Sequence, residues 1–252
     1  MQVLIPMAGK GSRFQECGQY SHPKPLIEVN NKPMIQLVIE NFARAFPVKA
    51  NRKAKFIFIC QEEHYKDYDL YNVFDQSLKS AGASDYEFEV VKIQTITQGA
   101  ACTALMAKDF IDPVEPLIIA NSDQYVDQKT LSLFGQHTEE SRESSIICFK
   151  STHPKWSYVR VEAGKIIEVA EKKVISDNAT AGIYHFAKGY DFVRATEAMI
   201  QKDIRTKGEF YIAPCYNELI LEGDDIYPYM IPNEDFHGLG TPEDLKSFLA
   251  LS

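Results

Sequence analysis

Through the first 120 residues, short unbroken apolar runs alternate with amphipathic stretches, and few folds tolerate that pattern. Residues 2–7, 55–60 and 116–120 are apolar on both faces, as strands covered on both sides must be, and 87–93 reads as a further strand. Residues 34–45, 64–80 and 99–110 carry helical spacing between them. Strands separated by helices predict an α/β fold with a doubly wound, mostly parallel sheet. After about residue 145 the pattern changes. Residues 145–149 read as a buried strand, 157–162 and 165–170 as a hairpin turning at Ala163-Gly164, and 180–186 as a further strand. Segments 190–202 and 211–221 read as helices and 226–230 as a late strand. Residues 242–251 read as a closing helix with Thr241 at its N-cap. Nothing rich in Gly, Pro or Ser divides the chain. A single domain over 1–252 is expected, its second half a small substrate-side subdomain of hairpin and helices.

Charge and cysteine content exclude several classes. Lys plus Arg is 27 against 35 Asp plus Glu, a net charge of −8, which argues against broad binding of nucleic acid or a membrane surface. An anionic substrate then needs locally gathered basic groups. The five cysteines are widely spaced, odd in number and form no C-x-x-C pair. That is neither a disulfide framework nor a zinc knuckle, and it fits a reducing, cytoplasmic setting. No apolar run reaches the ~18 residues of a membrane span.

The first strand runs into Ala8-Gly9-Lys10-Gly11-Ser12-Arg13. Glycines let backbone N–H groups approach a phosphate, and an Arg at the end can clamp its oxygens. The spacing fits neither the dinucleotide fingerprint, which needs a third glycine where Phe14 stands, nor a Walker loop, because Lys10 is followed by Gly11. A tight turn with a solvated Arg13 is the alternative. Further on, Pro23-Lys24-Pro25-Leu26 holds Lys24 between two prolines, as a positioned ammonium or a surface lysine in a stiff turn.

Together with Asn31-Lys-Pro-Met-Ile35, these segments resemble the N-terminal signature of the sugar-phosphate nucleotidyltransferases, the nucleotide-sugar pyrophosphorylases. The resemblance implies that residues 1–145 bind the nucleotide and 146–252 the acceptor. It places Arg13 and Lys24 on the triphosphate as the catalytic cations. Ala8, Gly9, Gly11 and Ser12 would line base, ribose and phosphate, joined by Asn121. Thr97-Gln-Gly99 is similar to the family's base-recognition loop. Asp123, after the strand 116–120, matches the carboxylate that holds Mg²⁺, the expected cofactor. Glu171-Lys172 resembles the E-K motif whose Lys binds the acceptor phosphate, although Lys173 follows and either lysine suits. Gly182 lies in the strand expected to abut the acceptor, and Glu209 falls where the family has a Glu on sugar hydroxyls.

One departure stands out. Where the family often shows W-x-D-x-G-T, with the Asp as second metal ligand, this chain has Phe236-His-Gly238-Leu-Gly240-Thr241. Asp235 is the replacement nearest in sequence. Otherwise Asp123 and phosphate oxygens suffice, or the site is altered, or activity is lost. The implied partners are a nucleoside triphosphate and a small phosphorylated acceptor, giving a nucleotide-sugar type of product for surface polysaccharide synthesis. A homo-oligomer is compatible with the exposed helices. A non-catalytic nucleotide-binding subunit of the same fold is the main alternative. A glycosyltransferase is a lesser one, since Asn121-Ser-Asp123 lacks the first Asp of a D-x-D motif.

Overall fold

The apolar runs become the central strands of one sheet, and the loops that leave them gather on one side. The computed structural model describes residues 1–9, 11–18, 20–47, 54–83 and 86–251. Strand β1 (Gln2–Pro6) leads through the glycine loop into α1 (Ser12–Glu16). A small ribbon, β2 (Glu28–Val29) and β3 (Lys32–Pro33), turns at Asn30 and Asn31 with φ of 51° and 62°, a left-handed pair that asparagine tolerates. Then come α2 (Met34–Ala45) and β4 (Lys55–Gln61). The single helix expected over 64–80 is two, α3 (Glu62–Asp67) and α4 (Leu70–Ser80). Asp69 breaks it by taking φ 45°.

After β5 (Glu87–Ile93), α5 (Ala100–Leu105) stops short of the expected residue 110, its last turn tightening into i→i+3 bonds such as Met106 N to Thr103 O. β6 (Leu117–Ala120), β7 (Gln124–Val126) and α6 (Gln128–Glu140) follow, the helix capped by Asp127. The second half is β8 (Ser144–Lys150), β9 (Ser157–Glu162), β10 (Lys165–Glu171), β11 (Asn178–Phe186) and α7 (Gly189–Gln201). Next comes α8 (Tyr216–Leu221), which starts later than residue 211 because Pro214 holds a 3₁₀ turn before it. β12 (Ile226–Met230), β13 (Phe236–Gly238) and α9 (Pro242–Leu249) complete the chain.

Among the described residues the main sheet has nine strands. β5, β4, β1 and β6 are parallel neighbours in that order, β11 joins β6 antiparallel, and β8–β12 and β9–β10 extend from β11. Side chains alternate between two cores. Val3 and Ile5 face α2, α4 and α6, while Leu4 faces the side covered by α5, α7 and α8. A third, small cluster of Phe14, Ile27, Val29, Met34, Leu239 and Leu245 ties the glycine loop to α9. No helix among the described residues is long and apolar enough to cross a membrane.

The ribbon before α2 also sets a charge. Lys32 Nζ lies 2.9 Å from the buried Glu40 Oε2, Arg44 Nη2 lies 3.0 Å from it, and Ser80 and Gln36 donate to Oε1. Burial pushes the Glu40 carboxyl up, but these hydrogen bonds and the Lys32 charge outweigh it and hold the pKa at about 2, against an ordinary 4.5. A carboxyl lowered on folding stabilises the protein above its unfolded value and loses that contribution as pH falls through the folded one. Glu40→Gln is expected to lower unfolding stability at pH 7 by roughly 1–3 kcal/mol and to flatten the loss of stability between pH 4.5 and 2, as denaturant titrations at several pH values would measure.

Candidate functional site

The loops that follow β1 and β6 open on one cleft of about 770 Å³. Beyond β1, Met7 N donates to Ile59 O at 2.8 Å and Gln61 Nε2 donates to Ala8 O at 2.9 Å, so neighbouring β4 fixes where the loop begins. Ala8, Gly9, Gly11, Ser12 and Arg13 all line the cleft, and Lys10 lies outside the described residues. Phe14, buried in the small cluster, anchors them. A Cβ on Gly11 would stand 2.9 Å from Lys24 Cβ, so the glycine lets the proline-bounded turn touch the loop. Lys24 Nζ makes a short ion pair with Asp123 Oδ2, the two side chains 21% and 18% exposed. Arg13 makes no ion pair among the described residues and faces the same cleft.

The wall beside α5 is built from two distant segments. Thr97 Oγ1 donates to Gly99 O at 2.9 Å and shares a hydrogen bond with Thr103 Oγ1 at 2.6 Å. Gly99 has φ 131°, and a Cβ there would meet Phe210 O at 2.3 Å, so only glycine fits. Phe210 N donates to Gln98 O at 2.8 Å and Ala101 N to Phe210 O at 3.0 Å. Arg205 Nη2 donates to Gln98 Oε1 at 2.7 Å. The segment carrying Glu209 is thereby clipped to the loop carrying Thr97 and Gly99, a link with no local signal in the sequence.

At the far wall, β10 ends at Glu171 and Lys172 follows it. The Glu171 side chain is 8% exposed and accepts from Ser157 Oγ; burial raises its pKa. Lys172 Nζ donates to Tyr211 OH at 2.5 Å and lies 3.9 Å from Glu171 Oε1. Burial lowers the Lys172 pKa, with Glu171 opposing. Of the two lysines left open by the sequence, Lys172 lines the cleft, while Lys173 is exposed and does not. Gly182 has φ 69°, and a Cβ there would come within 2.4 Å of the side-chain amides of both Gln124 and Asn121. Gln124, which the sequence did not flag, is 7% exposed, lines the cleft, and its Oε1 has no hydrogen-bond partner among the described residues. Glu209 also lines the cleft, so every residue assigned to the site from sequence is brought into it.

The segment after β12 closes the cleft. β13 pairs antiparallel with β7, setting Gly238 opposite Gln124, and Leu239 N donates to Asp123 O at 2.7 Å. A Cβ on Gly240 would stand 2.8 Å from Asp123 Oδ2. Asp235 does not replace the missing carboxylate: its Oδ2 accepts from Thr130 Oγ1 at 2.6 Å, its backbone binds Asp127 N, and it does not line the cleft. The carboxylate beside Gly238 is that of Asp244, which lies 2.7 Å from Lys155 Nζ. Mg²⁺ takes oxygen ligands and is commonly held by one or two carboxylates together with substrate phosphates. Asp123, in a cleft with Arg13 and Lys24, fits that pattern, and no group of three or more His, Cys, Asp or Glu among the described residues forms a closed cage.

A family model described as nucleotidyl transferase matches residues 2–245. The mannose-1-phosphate guanylyltransferase catalytic subunit beta of Dictyostelium discoideum is 26% identical over 211 residues, which is 81% of this chain and 55% of that protein. The chain thus spans about half the length of the curated relatives it matches. The solved nucleoside-diphosphate-sugar pyrophosphorylase of Vibrio cholerae RC9 superposes with a TM-score of 0.82 at 27% identity, covering 98% of this chain and 99% of that one. A UDP-glucose pyrophosphorylase complexed with UDP-glucose superposes at 0.78 with 18% identity, over 99% and 97% of the two chains, a likeness of fold alone.

Proposed function

Because the chain belongs to the nucleotidyl transferase family, we propose that it joins a nucleoside triphosphate to a small phosphorylated metabolite, a sugar 1-phosphate first among them, with release of pyrophosphate. The observation that carries this is the distribution of charge in one cleft: Arg13 and Lys24 where the glycine loop lies, Lys172 just after β10. Two polyanions are to be held there without mutual repulsion, and cations supplied from both the glycine loop and the segment after β10 suit that task.

The acceptor's phosphate oxygen attacks the α-phosphorus in line, forming the new P–O bond as the bond to pyrophosphate breaks. The attacking phosphate is already ionised at neutral pH, so no general base is needed, and catalysis reduces to positioning and charge stabilisation. Arg13 and Lys24 offset charge on the departing pyrophosphate. Lys172, steadied by Tyr211, orients the acceptor phosphate, and Glu171 and Glu209 take its hydroxyls beside Gly182. Ala8, Gly9, Gly11, Ser12, Asn121 and the Thr97–Gly99 loop surround the nucleoside. Asp123 would hold Mg²⁺, which supplies Lewis-acid neutralisation of phosphate charge when bound. In this reading 1–145 forms the nucleotide half and 146–252 the acceptor half of one domain, working in the cytoplasm on a nucleotide-sugar product for polysaccharide assembly. The relatives' own names differ in base, guanylyl in one and UDP in another, so the base is left to experiment.

The test is pyrophosphate release with Mg²⁺, using CTP, UTP, dTTP, ATP and GTP against phosphorylated sugars, polyols and amino alcohols. One productive pair, abolished by EDTA, supports the reading. Nucleotide binding without release across the whole panel would instead favour a non-catalytic subunit, the second reading that Gly238 motivates.

A further inference from the structure

We propose that Asp244 supplies the second carboxylate of the cation site, in place of the one absent at residue 238. A Cβ on Gly238 would lie 3.9 Å from Asp244 Oδ2, so that oxygen borders the volume a side chain at 238 would fill. The same Cβ would stand 3.0 Å from Trp156 Cη2. The indole has taken the space, and an aspartate at 238 could not enter without moving it. Asp244 reaches the place from another direction, the first turn of α9, where Thr241 Oγ1 accepts from Asp244 N at 3.1 Å and sets the turn. Its side chain is 20% exposed and lines the same cleft as Asp123. Gly238 beside Asp244 and Gly240 beside Asp123 carry no side chain, and Leu239 is fully buried in the small cluster.

A further feature points to a ligand. Gln124, paired through the backbone with Gly238, keeps an oxygen that is buried and has no hydrogen-bond partner among the described residues, and a cation or its bound water would satisfy it. Each carboxylate also rests on an ammonium, Asp123 on Lys24 and Asp244 on Lys155. When a phosphate ligand and a cation enter together, each lysine exchanges its carboxylate for phosphate and each carboxylate exchanges its lysine for the cation. No charge is left unpaired by that exchange.

The inference rests on the transferase reading for what the bound cation does, but cation binding is measurable without turnover. Trp156 is the single tryptophan of the chain, so its fluorescence reports on this corner. Mn²⁺ is titrated into the whole protein with inorganic phosphate present, following free Mn²⁺ by electron paramagnetic resonance and quenching of Trp156. Wild type should bind and quench. Asp244→Asn should weaken binding about tenfold or more. Lys155→Met should tighten it about fivefold, because a competing cation is removed. A merely structural ion pair predicts no such opposite signs. Glu243→Gln, an exposed neighbour on the same turn, should change nothing. Wild-type affinity in Asp244→Asn, weaker binding in Lys155→Met, or no quenching in wild type would overturn the assignment. Asp244-dependent Mn²⁺ binding without pyrophosphate release would leave it standing and count against the transferase reading.

Discussion

Asp123→Asn and Lys24→Ala should each lower turnover by about 10²–10³, roughly 3–4 kcal/mol of transition-state stabilisation, while the fold survives. The two side chains form a partly buried ion pair in the free protein. Removing either member leaves the other in the cleft without its resting partner, and that alone is costly. The catalytic loss has a different origin. In the proposed mechanism Lys24 stabilises charge that grows on the leaving pyrophosphate, so its absence would be felt in the transition state more than in the ground state. Asp123→Asn keeps size and hydrogen bonding but removes the negative charge that a divalent cation requires. Both should therefore reduce kcat and kcat/KM together. Thermal unfolding of each variant separates the two costs. A turnover within threefold of wild type in either one would contradict its assigned role.

Lys172→Met should lower kcat/KM for the acceptor by about 10² and leave nucleotide affinity near wild type. Lys172 donates to Tyr211 OH and sits against Glu171, away from the glycine loop in sequence. Burial destabilises its charged form more than the Glu171 carboxylate restores it, so its pKa lies below the ordinary 10.5. In the proposed mechanism the ammonium holds the acceptor phosphate. Because the pKa is lowered, that charge is lost on raising pH before an ordinary lysine would lose it. The alkaline limb of kcat/KM for the acceptor should fall below pH 10.5 in wild type and be missing in Lys172→Met. Equal losses in acceptor and nucleotide parameters would place Lys172 elsewhere in the mechanism.

Much of the site was legible because its parts lie at the ends of strands. The loop from Gly9 to Arg13 and Asn121 to Asp123 follow apolar runs whose character fixes them as buried strands, Thr97 to Gly99 follows the half-exposed edge strand β5, and a parallel sheet gathers their C-terminal ends. Short-range geometry was legible too: α2 has the expected bounds, and Ala163-Gly164 forms the hairpin turn with φ of 49° and 82°. What was not legible depends on register or on contacts distant in sequence. Gln124 enters the cleft because β7 pairs with β13, a three-residue ribbon too short to show a period. Asp244 lies beside Gly238 because α9 turns back after Thr241, whereas Asp235, nearer to Asp123's ribbon by sequence, is turned onto Thr130. His237, in β13, packs against Tyr125 and Phe248. The break at Asp69 escaped because a polar residue at that position also suits an exposed helical turn.

The most direct test of nucleotidyl transfer is to follow the phosphorus. With a productive triphosphate and acceptor, one preparation carries ³²P at the α-position and another at the γ-position. The account predicts that α-label appears in the acceptor-linked product and γ-label only in pyrophosphate, with both dependent on Lys24 and Asp123. Label from the γ-position in the acceptor, or α-label left in free nucleoside monophosphate with no joined product, would contradict it.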